Sequence, residues 1–282
     1  MVSVCVQTYQ HVNYIKQCLD GILMQQTTFP FEVILGEDES NDGTREICIE
    51  YANKYPERIR LFLRSRKDVI SINGNPTGRF NMIENLKSCQ GKYIALCEGD
   101  DYWTDPLKLQ KQVDLLEKNK DYSYCGHKSS TKSNIGINKI SLEIKEFGFK
   151  ELIFKNVLNT STLIFRKKVI EPLPNFFRTI SAGDWGLQLI AIKNSKAYVL
   201  PDYMSVYREH DKGIWSNLDS KTKCLNGVKT QEAFKLIYSD KESIDLINKA
   251  MESRKKAFGI VERSFLESIV VKIKSKLKYI YR

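Results

Sequence analysis

Across the first 130 residues, short β-rich apolar runs alternate with stretches whose apolar side chains recur at helical spacing. Residues 2–6 (Val-Ser-Val-Cys-Val) form the first run, and Val12, Ile15, Leu19, Ile22 and Leu23 then share one face of a helix over about 11–25. A second strand is expected at 31–35. A helix with Ile47, Ile49, Tyr51 and Ala52 follows Asp42-Gly43-Thr44, and a third strand covers 59–63. Residues 71–78 contain Gly, Asn and Pro and read as a loop. A helix over about 80–88 and a strand at 93–97 come next. Pro106 then opens a helix carrying Leu107, Leu109, Val113, Leu115 and Leu116, since Pro suits a first helical turn. This β-α-β-α rhythm predicts an α/β fold with a mainly parallel central sheet flanked by helices.

Further on, strands are expected at 161–165, 197–200 and 204–207. An amphipathic helix follows Gly183-Asp184-Trp185. Beyond about Trp215 the pattern becomes helical and polar. A boundary near 216–222 therefore divides an α/β domain, 1–215, from a helical, basic C-terminal extension, 216–282.

Composition adjusts this picture in three ways. The chain of 282 residues is 42% hydrophobic and 11% aromatic, enough for a sizeable core. It lacks the apolar run of about 18 residues that a membrane-spanning helix needs, and it starts at once in strand-like sequence, so neither a span nor a signal peptide is expected. The seven cysteines form no CxxC pair and several sit inside apolar runs, which suits buried thiols in a reducing compartment. Net charge is +10, yet residues 251–282 alone hold nine Lys/Arg against three Glu. The basicity belongs mainly to the tail, so a nucleic-acid partner is not expected.

The chemistry concentrates where apolar runs end. The strand at 93–97 stops at Glu98-Gly99-Asp100-Asp101-Tyr102-Trp103. A lone Asp-Asp pair would be a turn former. Three carboxylates within four residues repel one another, and a divalent cation relieves that. Mg²⁺ or Mn²⁺ fits, because hard cations take oxygen ligands and are often completed by substrate phosphates. The second strand ends at Gly36-Glu37-Asp38-Glu39-Ser40-Asn41-Asp42-Gly43-Thr44. Helix capping explains Asp42 but not Glu37 and Asp38, which lie earlier. With Gln7-Thr8-Tyr9 they would line the same sheet edge, where a carboxylate could accept from a base N–H and Tyr9 could pack on the ring. No GxGxxG and no Walker A loop is present, which disfavours a dinucleotide oxidoreductase or a P-loop NTPase.

Together these residues resemble the family 2 glycosyltransferases, which have the GT-A fold. The resemblance spans about 1–215. It rests on residues 2–9, on Glu37 to Thr44, on Gly91-Lys92-Tyr93 leading into Glu98 to Trp103, and on Gly183-Asp184-Trp185. It implies that Thr8, Tyr9, Glu37 or Asp38, and Arg79 serve a nucleotide-sugar donor, with UDP the favoured nucleotide. Asp100 and Glu98 would hold Mn²⁺ or Mg²⁺, Asp100 most directly. Asp184 would be the catalytic base. His210, Lys212 and Trp215 would close over the diphosphate, and Trp103 and Trp185 would lie on the acceptor side. Positions 37 and 98 are Glu where the family more often has Asp. The Gln-x-x-Arg-Trp motif of processive synthases is absent, which points to transfer of a single sugar, with inversion, to a saccharide or lipid-linked acceptor in surface polysaccharide or glycoconjugate synthesis.

Such an enzyme would be cytoplasmic, with a peripheral position at the inner membrane face as one option. In the tail, Phe265, Leu266, Ile269, Val270, Ile273, Leu277, Ile280 and Tyr281 recur at helical spacing among lysines. That stripe suits either packing on the catalytic domain or membrane contact through 260–282. Two rivals stay open: a sugar-nucleotidyltransferase, and a nucleotide-sugar-binding protein without catalysis. Sugar, acceptor and oligomeric state are not encoded in any pattern read here.

Overall fold

The alternation builds one large sheet. In the computed structural model, residues 1–211, 213 and 218–259 are described. The elements run β1 (Val2–Thr8), α1 (Ile15–Leu23), β2 (Phe31–Glu37), α2 (Thr44–Lys54), β3 (Ile59–Leu63), β4 (Ile70–Ile72), β5 (Asn75–Thr77), α3 (Arg79–Ser88), β6 (Tyr93–Glu98) and β7 (Tyr102–Trp103). They continue with α4 (Lys108–Lys118), β8 (Tyr122–Ser133), β9 (Gly136–Lys139), β10 (Glu146–Phe147), α5 (Phe149–Leu152), β11 (Ile164–Arg166), α6 (Lys167–Ile170), α7 (Gly183–Ala191), β12 (Lys196–Arg208), α8 (Ser220–Ala233) and α9 (Lys241–Ala257).

The main strand order is β10-β12-β8-β11-β6-β1-β2-β3. The β6-β1-β2-β3 part is wholly parallel. Beyond it β11 inserts antiparallel to both neighbours, while β12 again runs parallel to β8. Register brings the carboxyl ends of the parallel strands level, with Thr8 beside Glu37 and Gln7 beside Glu98. That edge is where open α/β sheets bind ligands.

Alternation along β1 divides the core. Val2, Val4 and Val6 face Ile15, Leu19 and Ile22 of α1 and Leu109 and Leu116 of α4, whereas Cys5 faces Met82, Ile83 and Leu86 of α3. The second cluster also takes in Leu187 and Leu189 of α7 and Phe234, Tyr238, Ile247 and Ala250 from the C-terminal helical part. Each fully buried Leu or Ile contributes roughly 1.5–3 kcal/mol relative to exposure. Among the described residues no helix is long and apolar enough to cross a membrane.

Three local expectations change, and one strand, β8, had none. Residues 71–78 are not only loop: β4 and β5 form a hairpin in which Pro76 opposes Ser71, and a small two-stranded ribbon tolerates a missing N–H. The strands expected at 197–200 and 204–207 are one, β12, which passes through Pro201 and Asp202 with register shifts. At 161–165 a 3₁₀ turn (Thr160–Thr162) precedes a shorter β11. β8 has a Ser/Thr/Lys-rich second half with no apolar alternation, which is held as a strand by its neighbours β12 and β9.

Candidate active site

The acid turn is fixed by backbone bonds before any side chain acts. Gly99 N–H donates to the Gln7 carbonyl (2.8 Å) and Asp101 N–H to that of Glu98 (3.0 Å). A Cβ at Gly99 would lie 2.6 Å from Thr8 Oγ1 and 2.9 Å from His11 Nδ1, so this turn meets β1 more closely than any side chain allows. Asp101 is buried, and its Oδ1 accepts from the Arg208 N–H (2.9 Å). The Arg208 guanidinium donates to the Asp100 carbonyl and to Gln17 Oε1, and lies over the Tyr102 ring at 4.3 Å. Arg208 thus clamps the turn from β12.

Asp100 points at two imidazoles. His210 Nε2 is 3.1 Å and His11 Nε2 3.7 Å from its Oδ2. Desolvation would raise its carboxyl. The His210 hydrogen bond and the two imidazoles more than offset this and hold it below the ordinary range. Desolvation also lowers His11, against the pull of Asp100. Glu98 behaves oppositely: desolvation first, then Asp100, Asp101 and Asp184, push it well above the usual carboxylate range, with only Arg79 opposing. Such mutual repulsion is what a cation removes. Asp100 and His210, with Glu98 behind, form a suitable donor set for Mn²⁺ or Mg²⁺. Among the described residues no group of three or more His, Cys, Asp or Glu side chains forms a ready cage. A hard cation here would need water and phosphate oxygens to complete its shell.

Asp184 stands at the first turn of α7, next to Gly183. Asn156 Nδ2 donates to its Oδ2 (2.8 Å), and Gln188 Nε2 donates to Asn156 Oδ1 (2.8 Å). Desolvation raises the Asp184 carboxyl, opposed by the Trp185 N–H, Asn156 and Arg79. Arg79 is buried, donates to the Phe177 carbonyl (2.6 Å) and lies over that ring. Desolvation lowers it to about 10, and Asp184 and Glu98 pull it back up. Arg79 therefore links the acid turn to Asp184 from beneath. This departs from its expected placement with the nucleotide, because its side chain is buried beside α7 with Nη1 bonded to Phe177.

On the other flank, Glu37 is fully buried. Its Oε1 accepts from Ser40 N–H (2.7 Å), and its Oε2 pairs with Arg45. Both oxygens serve the loop, which corrects Glu37 as a direct nucleotide contact. Asp38 Oδ2 accepts from Arg66 Nη1 (2.7 Å), and among the described residues its Oδ1 takes no hydrogen bond. Arg66 also lies 4.1 Å over the ring of Tyr9, which is 38% exposed. Desolvation raises Asp38, against Arg66. Thr8 Oγ1 is 3.2 Å from His11 Nδ1. Gln10 and Glu39 both adopt positive φ (57° and 63°), a strained backbone on either side of this pocket.

Trp103 and Trp185 do not line an acceptor face. Their indoles are buried and donate to the Ser161 and Leu152 carbonyls (both 2.9 Å), so each NH is satisfied within the core. Lys212, Trp215 and the tail 260–282 lie outside the described residues. The site thus gathers Thr8, Tyr9, Asp38, Glu98, Asp100, Asp184 and His210 along one sheet edge. Sequence reasoning missed His11, Arg66, Asn156 and Arg208. Only His11, two residues after Tyr9, carried a local signal.

Comparisons with known proteins bear on the family and the fold. Residues 3–171 match the profile of Glycosyl transferase family 2. An uncharacterized protein of Mycobacterium tuberculosis is 33% identical over 219 residues, which is 76% of this chain and 60% of that protein. The chain thus spans well under two thirds of that relative's length. A putative teichuronic acid biosynthesis glycosyltransferase of Bacillus subtilis is 24% identical over 220 residues, covering 77% of this chain and 82% of the relative. For the fold, S. aureus TarS 1–349 in complex with UDP-GlcNAc superposes with TM-score 0.66 at 18% identity, over 91% of this chain and 73% of that one. A mannosyltransferase from Pyrobaculum calidifontis, solved with GDP-Man and Mn²⁺, gives TM-score 0.59 at 16% identity, over 98% and 79%. By the span of the profile match, more than half of its length, this chain belongs to glycosyl transferase family 2.

Proposed function

We propose that the protein transfers one sugar from a nucleoside-diphosphate sugar to an acceptor hydroxyl with inversion. The observation that carries this reading is that Asp184 lies close enough to the acid turn for its charge to raise Glu98, with Arg79 packed against Gly183 and feeling both acids. Tyr9 offers a ring face to the base, and the uncommitted oxygen of Asp38 accepts from an N–H on its edge; uracil N3–H is the favoured partner. The support from relatives is the UDP-GlcNAc bound to TarS and the GDP-Man and Mn²⁺ bound to the mannosyltransferase.

In the reaction, Asp184 takes the proton of the acceptor hydroxyl while that oxygen forms its bond to the anomeric carbon. The bond from that carbon to the diphosphate oxygen breaks on the opposite face, so configuration inverts. Arg79 keeps Asp184 ionised against desolvation, and Arg208 and His11 hold the acid turn in place. His210, beside Asp100, meets the departing diphosphate; Lys212 and Trp215, expected with it, lie outside the described residues. Asp100 and Glu98, with His210 beside them, would hold Mn²⁺ or Mg²⁺, and the ion would supply charge neutralisation to the leaving group. The acceptor is a saccharide or lipid-linked saccharide of surface polysaccharide synthesis. The enzyme works on the cytoplasmic side, at the inner membrane face, with 1–215 as catalytic domain and 216–282 as extension.

The test is nucleotide-sugar turnover with Mn²⁺ or Mg²⁺ in wild type, Asp100→Asn and Asp184→Asn. Both variants are expected to lose at least about 100-fold in kcat, the scale of removing a catalytic proton acceptor or charge stabiliser. Full activity of Asp100→Asn, or of wild type in excess chelator, removes the metal assignment. Full activity of Asp184→Asn favours a nucleotidyltransferase. Donor binding by wild type with no turnover on any acceptor favours a binding protein.

A further inference from the structure

The β8–β9 hairpin leaves the sheet beside this site and carries apolar side chains into solvent. Ile135, at its turn, is 95% exposed and Ile137 58% exposed. Opposed residues of an antiparallel pair share a face, and here Ser130 opposes Lys139 and Lys132 opposes Ile137. Lys128, two residues before Ser130, lies on the same face. One face therefore presents Lys128, Lys132 and Lys139 around Ile137, with Ile135 at the tip. Residues 128–145 hold four lysines and a single acid, Glu143.

The base of the hairpin is firmly built. Lys128 and Lys139 stand 6.0 and 4.9 Å from the Tyr203 ring centroid, and the Tyr203 hydroxyl donates to the Ile140 carbonyl (3.3 Å). The hairpin is also tied to the acid turn. Lys132 is the register partner of Arg208, which donates to the Asp100 carbonyl, and Glu209 N–H donates to the Lys132 carbonyl (2.9 Å).

We propose that this hairpin docks the protein on an anionic lipid surface, with Ile135 and Ile137 entering the acyl boundary and Lys128, Lys132 and Lys139 meeting headgroup phosphates. The combination decides the partner. An anionic polysaccharide would pair with the lysines but leave both isoleucines in water, whereas a charged bilayer satisfies both. Docking in this way sets the mouth of the site, one strand away, at the membrane plane, where a lipid-borne acceptor lies. The surface is separate from the tail at 260–282, and the inference does not rest on the assignment of the donor or the base.

The full chain tests it. All seven native cysteines are buried, so Ile135→Cys gives one accessible position for an environment-sensitive fluorophore. With phosphatidylcholine vesicles containing phosphatidylglycerol, the label should shift to the blue and be shielded from an aqueous quencher; with phosphatidylcholine alone it should not. In co-sedimentation, Lys128→Glu/Lys132→Glu/Lys139→Glu should weaken vesicle binding by about ten-fold or more, since each lysine near an anionic surface is worth about five-fold. Ile135→Asp/Ile137→Asp should weaken it too, at unchanged melting temperature. The proposal is overturned if the chain ignores anionic vesicles, or if it binds them with an unshifted label. It is also overturned if a soluble anionic polysaccharide captures the hairpin lysines while the label stays in water.

Discussion

Asn156 shows how much of the chemistry depends on a single amide. It donates to Asp184 Oδ2, and Gln188 fixes which way that amide faces by donating to its oxygen. Desolvation already raises Asp184, so losing Asn156 raises it further. A hydrogen bond to a charged group is worth about 1.5–3 kcal/mol, which is roughly one to two pH units. Asn156→Leu should therefore move the acidic limb of the kcat/KM profile to higher pH by about that much and lower kcat near neutrality. The KM for the donor should stay unchanged. A uniform loss at every pH would assign Asn156 a merely structural role. None of this was legible in the sequence, since Asn156 and Asp184 are 28 residues apart and no local pattern joins them. The same holds for Arg208, which reaches Asp100 across 108 residues. The carboxylates could be read because each stands where an apolar run ends. Trp103 and Trp185 were misassigned for a related reason: an aromatic next to an acid can turn into the core as readily as toward a ligand.

At the scale of elements, the turn between β6 and β7 is the critical piece. Gly99 is required there by contact rather than by φ, because a Cβ would fall 2.7 Å from Thr8 Cβ as well as on its hydroxyl. Gly99→Ala should displace Thr8 and His11 together. A donor KM raised several-fold and a stability loss of about 1–3 kcal/mol are expected, the usual range for overpacking. Calorimetry and donor titration check it; an unchanged KM would mean that Thr8 does not face the donor. The parallel half of the fold was legible because buried parallel strands are nearly continuous apolar runs. The second half of β8 was not, because its Ser, Thr and Lys residues make a strand only where β12 and β9 supply the ladder. β12 was read as two pieces because Pro201 and Asp202 interrupt its apolar pattern, while its pairing continues on either side.

At the scale of the whole molecule, a lysine is buried in the core between α4 and the sheet. Lys108 is fully buried; its Nζ donates to Gln112 Oε1 (2.7 Å) and lies 4.0 Å over the Trp103 ring. Gln112 in turn donates to the Thr162 carbonyl (2.8 Å), so this polar strut joins α4 to the 3₁₀ turn before β11. Desolvation lowers Lys108 to about 7. In the unfolded chain a lysine titrates near about 10.4. Between these values the unfolded state binds the extra proton, so this group makes stability rise with pH from about 7 to about 10.4, by as much as a few kcal/mol. Below pH 7 both states are protonated, so the slope vanishes and the cost of burying the charge stands at its full value. Buried thiols act in the opposite sense in part of this window. Desolvation pushes Cys125 up to about 12, so stability falls as the unfolded thiol ionises. The thiols are common to wild type and Lys108→Met and cancel in the difference between them. That difference should therefore favour the variant most at pH 6 and shrink steadily toward pH 10, even if the orphaned Gln112 oxygen costs about 1–3 kcal/mol at every pH. Urea unfolding of both proteins across this range measures it. Parallel curves would show that Lys108 keeps its proton in the core and that Gln112 and Trp103 together suffice to hold the charge.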